Sequence, residues 1–360
     1  MNLLFREILH NRLLWLLAFV PVMFITQKFK PEAHTLLFAL SVLAIVPLAA
    51  LLSHATEAVA AKTGDTVGGL LNATLGNLTE LVIALTALAA GQYTLVKASI
   101  AGAIVTNTLF MLGASFLLGG LKHHVQEFNR TNARLQTTLL FLATVAMLIP
   151  SAVSETATAF THELSVGLSI LLIAAYGLNL MFSLKTHREF FGSAEHAAEG
   201  EAPWPVGLAL ATLAGVTVLV ALVSEVFVES VQEAAATFGM SPAFVGFIVV
   251  ALVGAAAEMA SAFSGARKNR LDLSVGIALG SASQIALFVG PMLVLLSYFV
   301  GPKPMDLQFW PGAVIMMLIA TMTASLVTIS GRSAWFVGVL VLMVYVVFAM
   351  TLYLLPPRFP

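Results

Sequence analysis

Gly76-Asn77-Leu78-Thr79-Glu80-Leu81 lies inside a run, Val67 to Ala89, in which Glu80 is the single charged residue. The run is long enough to cross a bilayer, which takes roughly 20 residues of helix, and Glu80 stands near its centre. An ionisable side chain at that depth costs roughly 2.5–3.5 kcal/mol on insertion scales and marks a pathway or a binding site more often than packing. The wider stretch, Gly64 to Gly120, adds Thr106 and Asn107 to the same neighbourhood.

The pattern occurs twice. Moving 178 positions along the chain sets Glu80 on Glu258 without a gap, Gly76 on Gly254, Val67 on Val245 and Gly68 on Gly246. Further on, the same shift sets Leu95 on Leu273, Gly102 on Gly280 and Phe110 on Phe288. A charged residue four places after a glycine, followed in both copies by a second glycine in register, identifies an internal duplication. Each half then delivers one mid-membrane carboxylate.

Composition sets the class. Of the 360 residues 59% are hydrophobic and 10% charged, with mean hydropathy +0.96. A soluble domain carries about 25% charged residues, so the chain reads as an all-α, polytopic membrane protein. The formal net charge of −1 points to no partner, and the absence of cysteine excludes disulfides, thiolate metal sites and thiol catalysis. The first apolar segment, interrupted by Glu7 and lacking a small-residue cleavage site, reads as a retained helix.

Eleven apolar runs are predicted to span: Leu13–Gln27, Thr35–Ser53, Val67–Ala89, Leu95–Gly119, Leu135–Val153, Leu164–Leu184, Trp204–Phe227, Phe244–Gly265, Leu273–Val300, Phe309–Ile329 and Ala334–Leu355. Glu80 and Glu258 are then five crossings apart, so the two copies traverse the membrane in opposite directions. The predicted organisation is an N-terminal helix over 1–34 that could act as a gate and a first half over 35–184. An acidic linker over 185–203, with Glu189, Glu195, Glu199 and Glu201, leads to a second half over 204–360. Two inverted five-helix repeats are the architecture of secondary transporters, whose site lies at the midplane between the repeats.

Of the 17 Lys and Arg residues, Lys28, Lys30, Lys97, Lys303 and Arg358 fall on one side of this topology and the other 12, including Lys62, Lys122, Arg267 and Arg332, on the side of the N-terminus. Positive charge collects on the cytoplasmic side. The N-terminus is therefore expected in the cytoplasm and the C-terminus across the membrane; the plasma (inner) membrane is the expected home, although the charge pattern does not separate it from an organellar one. Arg267-Lys268-Asn269-Arg270 serves this orientation, and no nucleic-acid partner is expected.

The groups near the two glutamates are hard oxygen donors: Asn77, Thr74, Thr79, Thr106 and Asn107 in the first half, and Ser281, Ser283 and Gln284 in the second. Oxygen ligands without thiolate suit a hard cation, and Ca²⁺ accepts 6–8 of them at loose geometry. Gly76, Gly254, Gly102 and Gly280 permit either helix breaking, which would offer backbone carbonyls, or close helix packing. Two carboxylates in a low-dielectric site cannot both stay ionised without a cation, so a metal ion or protons must occupy them. Mutual exclusion at a site facing alternate sides suffices for antiport. Glu57, Glu155, Glu225, Glu229 and Glu233 are further intramembrane or near-membrane acids, with Glu225 and Glu229 forming either an entry funnel or a solvated helix end; His54, His123, His124 and His162 read as interfacial.

Thr63-Gly64-Asp65-Thr66-Val67-Gly68-Gly69-Leu70-Leu71-Asn72-Ala73-Thr74 with the following Gly76-to-Leu81 motif resembles the calcium/cation antiporter superfamily, and within it the calcium/proton exchangers. In the second half Gly254-Ala255-Ala256-Ala257-Glu258, Lys268-Asn269-Arg270-Leu271-Asp272-Leu273 and Gly280-Ser281-Ala282-Ser283-Gln284-Ile285-Ala286-Leu287-Phe288 carry the same resemblance, as does Ser183-Leu184-Lys185-Thr186-His187. It implies that Glu80 and Glu258 are the central cation ligands, assisted by Asn77, Asn107 and Gln284, with Ser281 beside them, and that helix 1 is a mobile gate. Ca²⁺ and H⁺ are the implied substrates, with no further cofactor. Ala255 and Met259 stand where the family commonly has Asn and His, so the second half offers one amide fewer. Thr79 and Ala257 precede the glutamates where sodium-coupled relatives typically carry proline, which favours protons over Na⁺. A sodium/calcium or sodium/proton antiporter is the alternative on the same fold. An intramembrane hydrolase is disfavoured, since Gly-x-Gly-Asp, His-Glu-x-x-His and Gly-x-Ser-Gly patterns are absent.

Overall fold

The computed structural model describes residues 8, 9, 11–63, 65–153, 161–187 and 204–355. The chain winds through α1 (Arg12–Phe29), α2 (His34–Ala60), α3 (Asp65–Leu75), α4 (Leu78–Ala89), α5 (Tyr93–His123), α6 (Arg130–Val153) and α7 (Thr161–Met181). The second half contributes α8 (Val206–Thr237), α9 (Pro242–Gly254), α10 (Ala256–Arg267), α11 (Leu271–Leu296), α12 (Pro311–Thr328) and α13 (Trp335–Leu354). Nine helices among the described residues are long and apolar enough to span a membrane, and the bent pair α9–α10 makes a tenth. The pair α3–α4 occupies the matching place in the first half, and the expected eleven spans compare with nine to ten found among the described residues. The protein is an integral, multi-pass, all-α membrane protein.

The predicted single span Val67–Ala89 is in fact two helices: Gly76 and Asn77 form a turn between α3 and α4. Its counterpart breaks at Ala255, where α9 and α10 meet at 59°. The duplication is visible in the boundaries, because Leu78–Ala89 and Ala256–Arg267 are the same 12 residues of each copy. Both copies also carry a π-helical turn in the next helix, Thr106–Met111 in α5 and Ile285–Val289 in α11. The predicted span Trp204–Phe227 is longer, continuing to Thr237, so Glu225, Glu229 and Glu233 are helical rather than terminal. Thr35–Ser53 likewise extends to Ala60, and the Ser53 hydroxyl donates to Glu57 one turn on. Glu155 and the linker acids lie outside the described residues.

Loops tie the halves crosswise at both ends. At one end, β1 (Val125–Glu127) pairs antiparallel with β2 (Arg332–Ala334). The same loop reaches the α10–α11 turn: Gln126 donates to the Ala266 carbonyl, and Asp272 accepts from the Asn129 amide. This end also holds Lys62, Arg267 and Arg332, and is called the basic end below. At the other, Lys97 pairs with Asp306 at 2.5 Å, and the Tyr93 hydroxyl donates to the Lys303 carbonyl. The core between them includes the long contact of α2 with α8, where Phe38 stacks on Phe227.

Candidate functional site

Both helix breaks are followed at once by a carboxylate that is turned into the protein. Glu80 and Glu258 each lie in the first turn of the helix after the break. The backbone comes close enough that a Cβ on Gly254 would sit 3.0 Å from Glu80 Cγ and 3.3 Å from its Oε1. The two carboxylates interact electrostatically, and Ser281 reaches Glu258. Oε1 of Glu80 and Oε2 of Glu258 are buried and accept no hydrogen bond. Buried polar atoms are nearly always paired, so two orphaned carboxylate oxygens in one neighbourhood are acceptors that await a cation or a proton.

The amides form a network beside them. Asn77 Nδ2 donates to Gln284 Oε1 at 2.5 Å, Ser281 Oγ donates to Asn77 Oδ1 at 2.8 Å, and Asn107 Nδ2 donates to Ser281 Oγ at 2.8 Å. Asn107 Oδ1 is left buried and unpaired. The six predicted ligands are thus brought together: Glu80 and Asn77 from the first break, Glu258 from the second, Asn107 from α5, Ser281 and Gln284 from α11. Thr74 and Ser283 turn away, donating to the Leu70 carbonyl and the Gln136 carbonyl. The network is lopsided. Asn77 corresponds to Ala255, so the second break adds a carboxylate and no amide. No cluster of three or more His, Cys, Asp and Glu occurs among the described residues, and any cation here would rely on amide, hydroxyl and backbone oxygens beyond its two carboxylates.

The two helices flanking the site are not equally covered. On α5, a Cβ at Gly102 would come 2.1 Å from the Phe247 carbonyl oxygen, and one at Gly246 would come 2.8 Å from the Leu95 carbonyl oxygen; α9 therefore presses on α5 backbone to backbone. On α11 the matching Gly280 has no heavy atom within 4 Å of such a Cβ. Helix breaking and close packing are both open at these two glycines from the sequence. Both are helical: Gly102 permits close packing, and Gly280 faces open space. Beside Glu80, where α9 presses on α5, lies a cavity of about 20 Å³ lined by Ile83, Ser99, Ala103 and Val250 among others. The space beside Glu80 is thus narrow, while α11 is uncovered at Gly280. A separate cavity at the Lys97 end, about 360 Å³, is lined by Thr86, Glu225 and Glu229, the acids expected to form an entry funnel or a solvated helix end.

Residues 33–185 and 208–354 match the model of the sodium/calcium exchanger protein family. A Ca²⁺/H⁺ antiporter of Aphanothece halophytica is 38% identical over 359 residues, covering 95% of this chain and 96% of that one. The Ca²⁺/H⁺ antiporter ChaA of Bacillus subtilis (strain 168) is 41% identical over 324 residues, covering 89% and 92%. Among solved structures, native YfkE superposes with TM-score 0.83 at 36% identity, covering 95% of this chain and 100% of that one.

Proposed function

Since this chain belongs to the sodium/calcium exchanger protein family, and within it to the calcium/proton exchangers, we propose that it exchanges Ca²⁺ for H⁺ by holding them alternately on Glu80 and Glu258. The observation that carries the reading is the pair of buried carboxylate oxygens without partners, set beside the Asn77–Ser281–Asn107–Gln284 network. Two carboxylates neutralise one divalent ion, and the amide and hydroxyl oxygens supply further hard donors of the kind Ca²⁺ takes. Without the metal, protons restore neutrality. Each occupant excludes the other, and exchange follows when the loaded site turns from one face to the other.

The positive-inside distribution supports a cytoplasmic N-terminus and basic end, and the plasma (inner) membrane is the proposed home. With that orientation the uncovered face of α11 opens to the cytoplasm, the state that takes up Ca²⁺ for export against inward proton flow. Helix α1 at the edge of α2 is the candidate gate.

The test is ⁴⁵Ca²⁺ uptake into proteoliposomes under an imposed pH gradient. Glu80→Gln and Glu258→Gln are each expected to abolish uptake while inserting normally. Near-normal transport by either variant would remove that residue from the site. Uptake that follows a sodium gradient and ignores pH would replace the proton by Na⁺.

A further inference from the structure

Asn107 belongs to the π-helical turn Thr106–Met111 rather than to regular α-helix. Such turns are uncommon and often sit at functional places, and they need a reason to persist where an α-helix would close more hydrogen bonds. Here the turn is gripped from α13. The Tyr345 hydroxyl lies 3.2 Å from the Thr106 hydroxyl, and the Tyr345 ring packs against Phe110 with centroids 5.3 Å apart. Thr106 is fully buried and Tyr345 nearly so. The two contacts therefore bracket Asn107, one residue before it and three after.

Approach of the two helices is set two turns away on the same seam. A Cβ on Gly338 would come 2.5 Å from the Gly113 carbonyl oxygen and 2.4 Å from the Leu117 amide nitrogen. Gly113 is seven residues from Thr106, and Gly338 seven from Tyr345, so both pairs fall on one face of each helix. The glycine crossing brings α13 within reach of the turn. A related contact exists on the other copy. The Tyr176 ring of α7 stacks on Phe288, inside the second π-helical turn and four residues after Gln284, with centroids 5.3 Å apart. In each case the last helix of one half supplies a tyrosine to the π-helical turn of the other half.

We propose that Tyr345 is a positioning residue for the cation site: through Thr106 and Phe110 it fixes the turn that aims Asn107 at Ser281 and leaves Asn107 Oδ1 toward the site. The proposal rests on the assignment of Asn107 to the Ca²⁺ site made above. Tyr345 itself touches no ion. Its effect is on the readiness of one ligand, so it belongs in Ca²⁺ affinity and not in the rate at which a loaded site turns over.

The experiment measures initial ⁴⁵Ca²⁺ uptake against Ca²⁺ concentration in proteoliposomes for Tyr345→Phe, Thr106→Val, the double variant and Glu80→Gln, with thermal melting of each in detergent. Tyr345→Phe keeps the ring on Phe110 and removes only the hydroxyl. It is expected to raise the half-saturating Ca²⁺ concentration about three- to tenfold, the effect of one hydrogen bond, with maximal rate and melting temperature close to wild type. Thr106→Val is expected to match it, and the double variant to be no worse than either single one, because both remove the same bond. Unchanged half-saturation in both singles, with Glu80→Gln inactive, overturns the role of Tyr345 and leaves the site standing. A fall in maximal rate and melting temperature at constant half-saturation makes Tyr345 structural and also overturns it. Normal uptake by Glu80→Gln overturns the site assignment and the proposal with it.

Discussion

Glu80 rests against the backbone of Gly254: a Cβ there would come 3.0 Å from its Cγ and 3.3 Å from Oε1. The break in one half is thus the wall for the carboxylate of the other. Gly254→Ala leaves helix propensity no worse but pushes the Glu80 side chain by a few tenths of an ångström. The expected result is a protein that folds and melts as wild type with a half-saturating Ca²⁺ concentration raised about tenfold, the scale of a misplaced ligand. Unaltered affinity in ⁴⁵Ca²⁺ uptake would mean that Glu80 does not meet the ion from this position.

Competition fixes the sign of the pH response. If protons and Ca²⁺ share Glu80 and Glu258, lowering the pH fills the carboxylates with protons and weakens Ca²⁺ binding. Raising it frees them, until binding no longer changes. Linkage sets the steepest slope at about tenfold in apparent affinity per pH unit for each proton displaced. Equilibrium Ca²⁺ binding to detergent-solubilised protein at several pH values measures it. Affinity that is flat across the acidic range would separate the proton from the metal site.

The spans, the duplication and the convergence of the six predicted ligand residues were legible because each depends on what a residue is and how far it stands from its copy. Apolar runs need no partner to be recognised, and Glu80 and Glu258 announce themselves by cost. The break at Ala255 was less legible, since no proline marks it and the glycine beside it also suits a packed helix. Gly102 and Gly280 show the limit most plainly. They are equivalent in sequence and opposite in surroundings, one against Phe247 and the other open, because coverage is decided by where α3 and α9 lie and not by the glycines. The crosswise grip of Tyr345 on Thr106 was invisible for the same reason: a hydroxyl pair 239 residues apart leaves no local pattern.

Lys97 and Asp306 tie the two halves at the end opposite the β1–β2 pair, 2.5 Å apart and each about one-fifth exposed. Asp306 also accepts from the Gln308 amide. Removing one partner strands the other in a partly dry setting, whereas removing both does not. Asp306→Asn and Lys97→Met are each expected to cost about 1–3 kcal/mol, below the cost of breaking a fully buried pair because water still screens this one. The Lys97→Met/Asp306→Asn double variant should lose less than the two singles added together. Thermal melting of the four proteins in one detergent decides it, and strictly additive losses would show that the two charges do not interact.

The uneven coverage of α5 and α11 has the most direct consequence, and the absence of cysteine from the chain makes it measurable. Gly280→Cys places a thiol on the open face of α11, where a Cβ meets nothing within 4 Å. Ser99→Cys places one on the narrow cavity beyond Glu80, with about 20 Å³ of free space, too small for a charged thiol reagent. In inverted membrane vesicles, which expose the cytoplasmic face, a membrane-impermeant maleimide is expected to modify Gly280→Cys rapidly and Ser99→Cys hardly at all. In right-side-out vesicles neither should react. Added Ca²⁺ should slow labelling at position 280 if Gln284 and Ser281 hold the ion as proposed, because it would then stand beside that position on the same helix. Reaction of Ser99→Cys from the right-side-out face, with Gly280→Cys protected from both, would mean that the protein rests with the opposite end open.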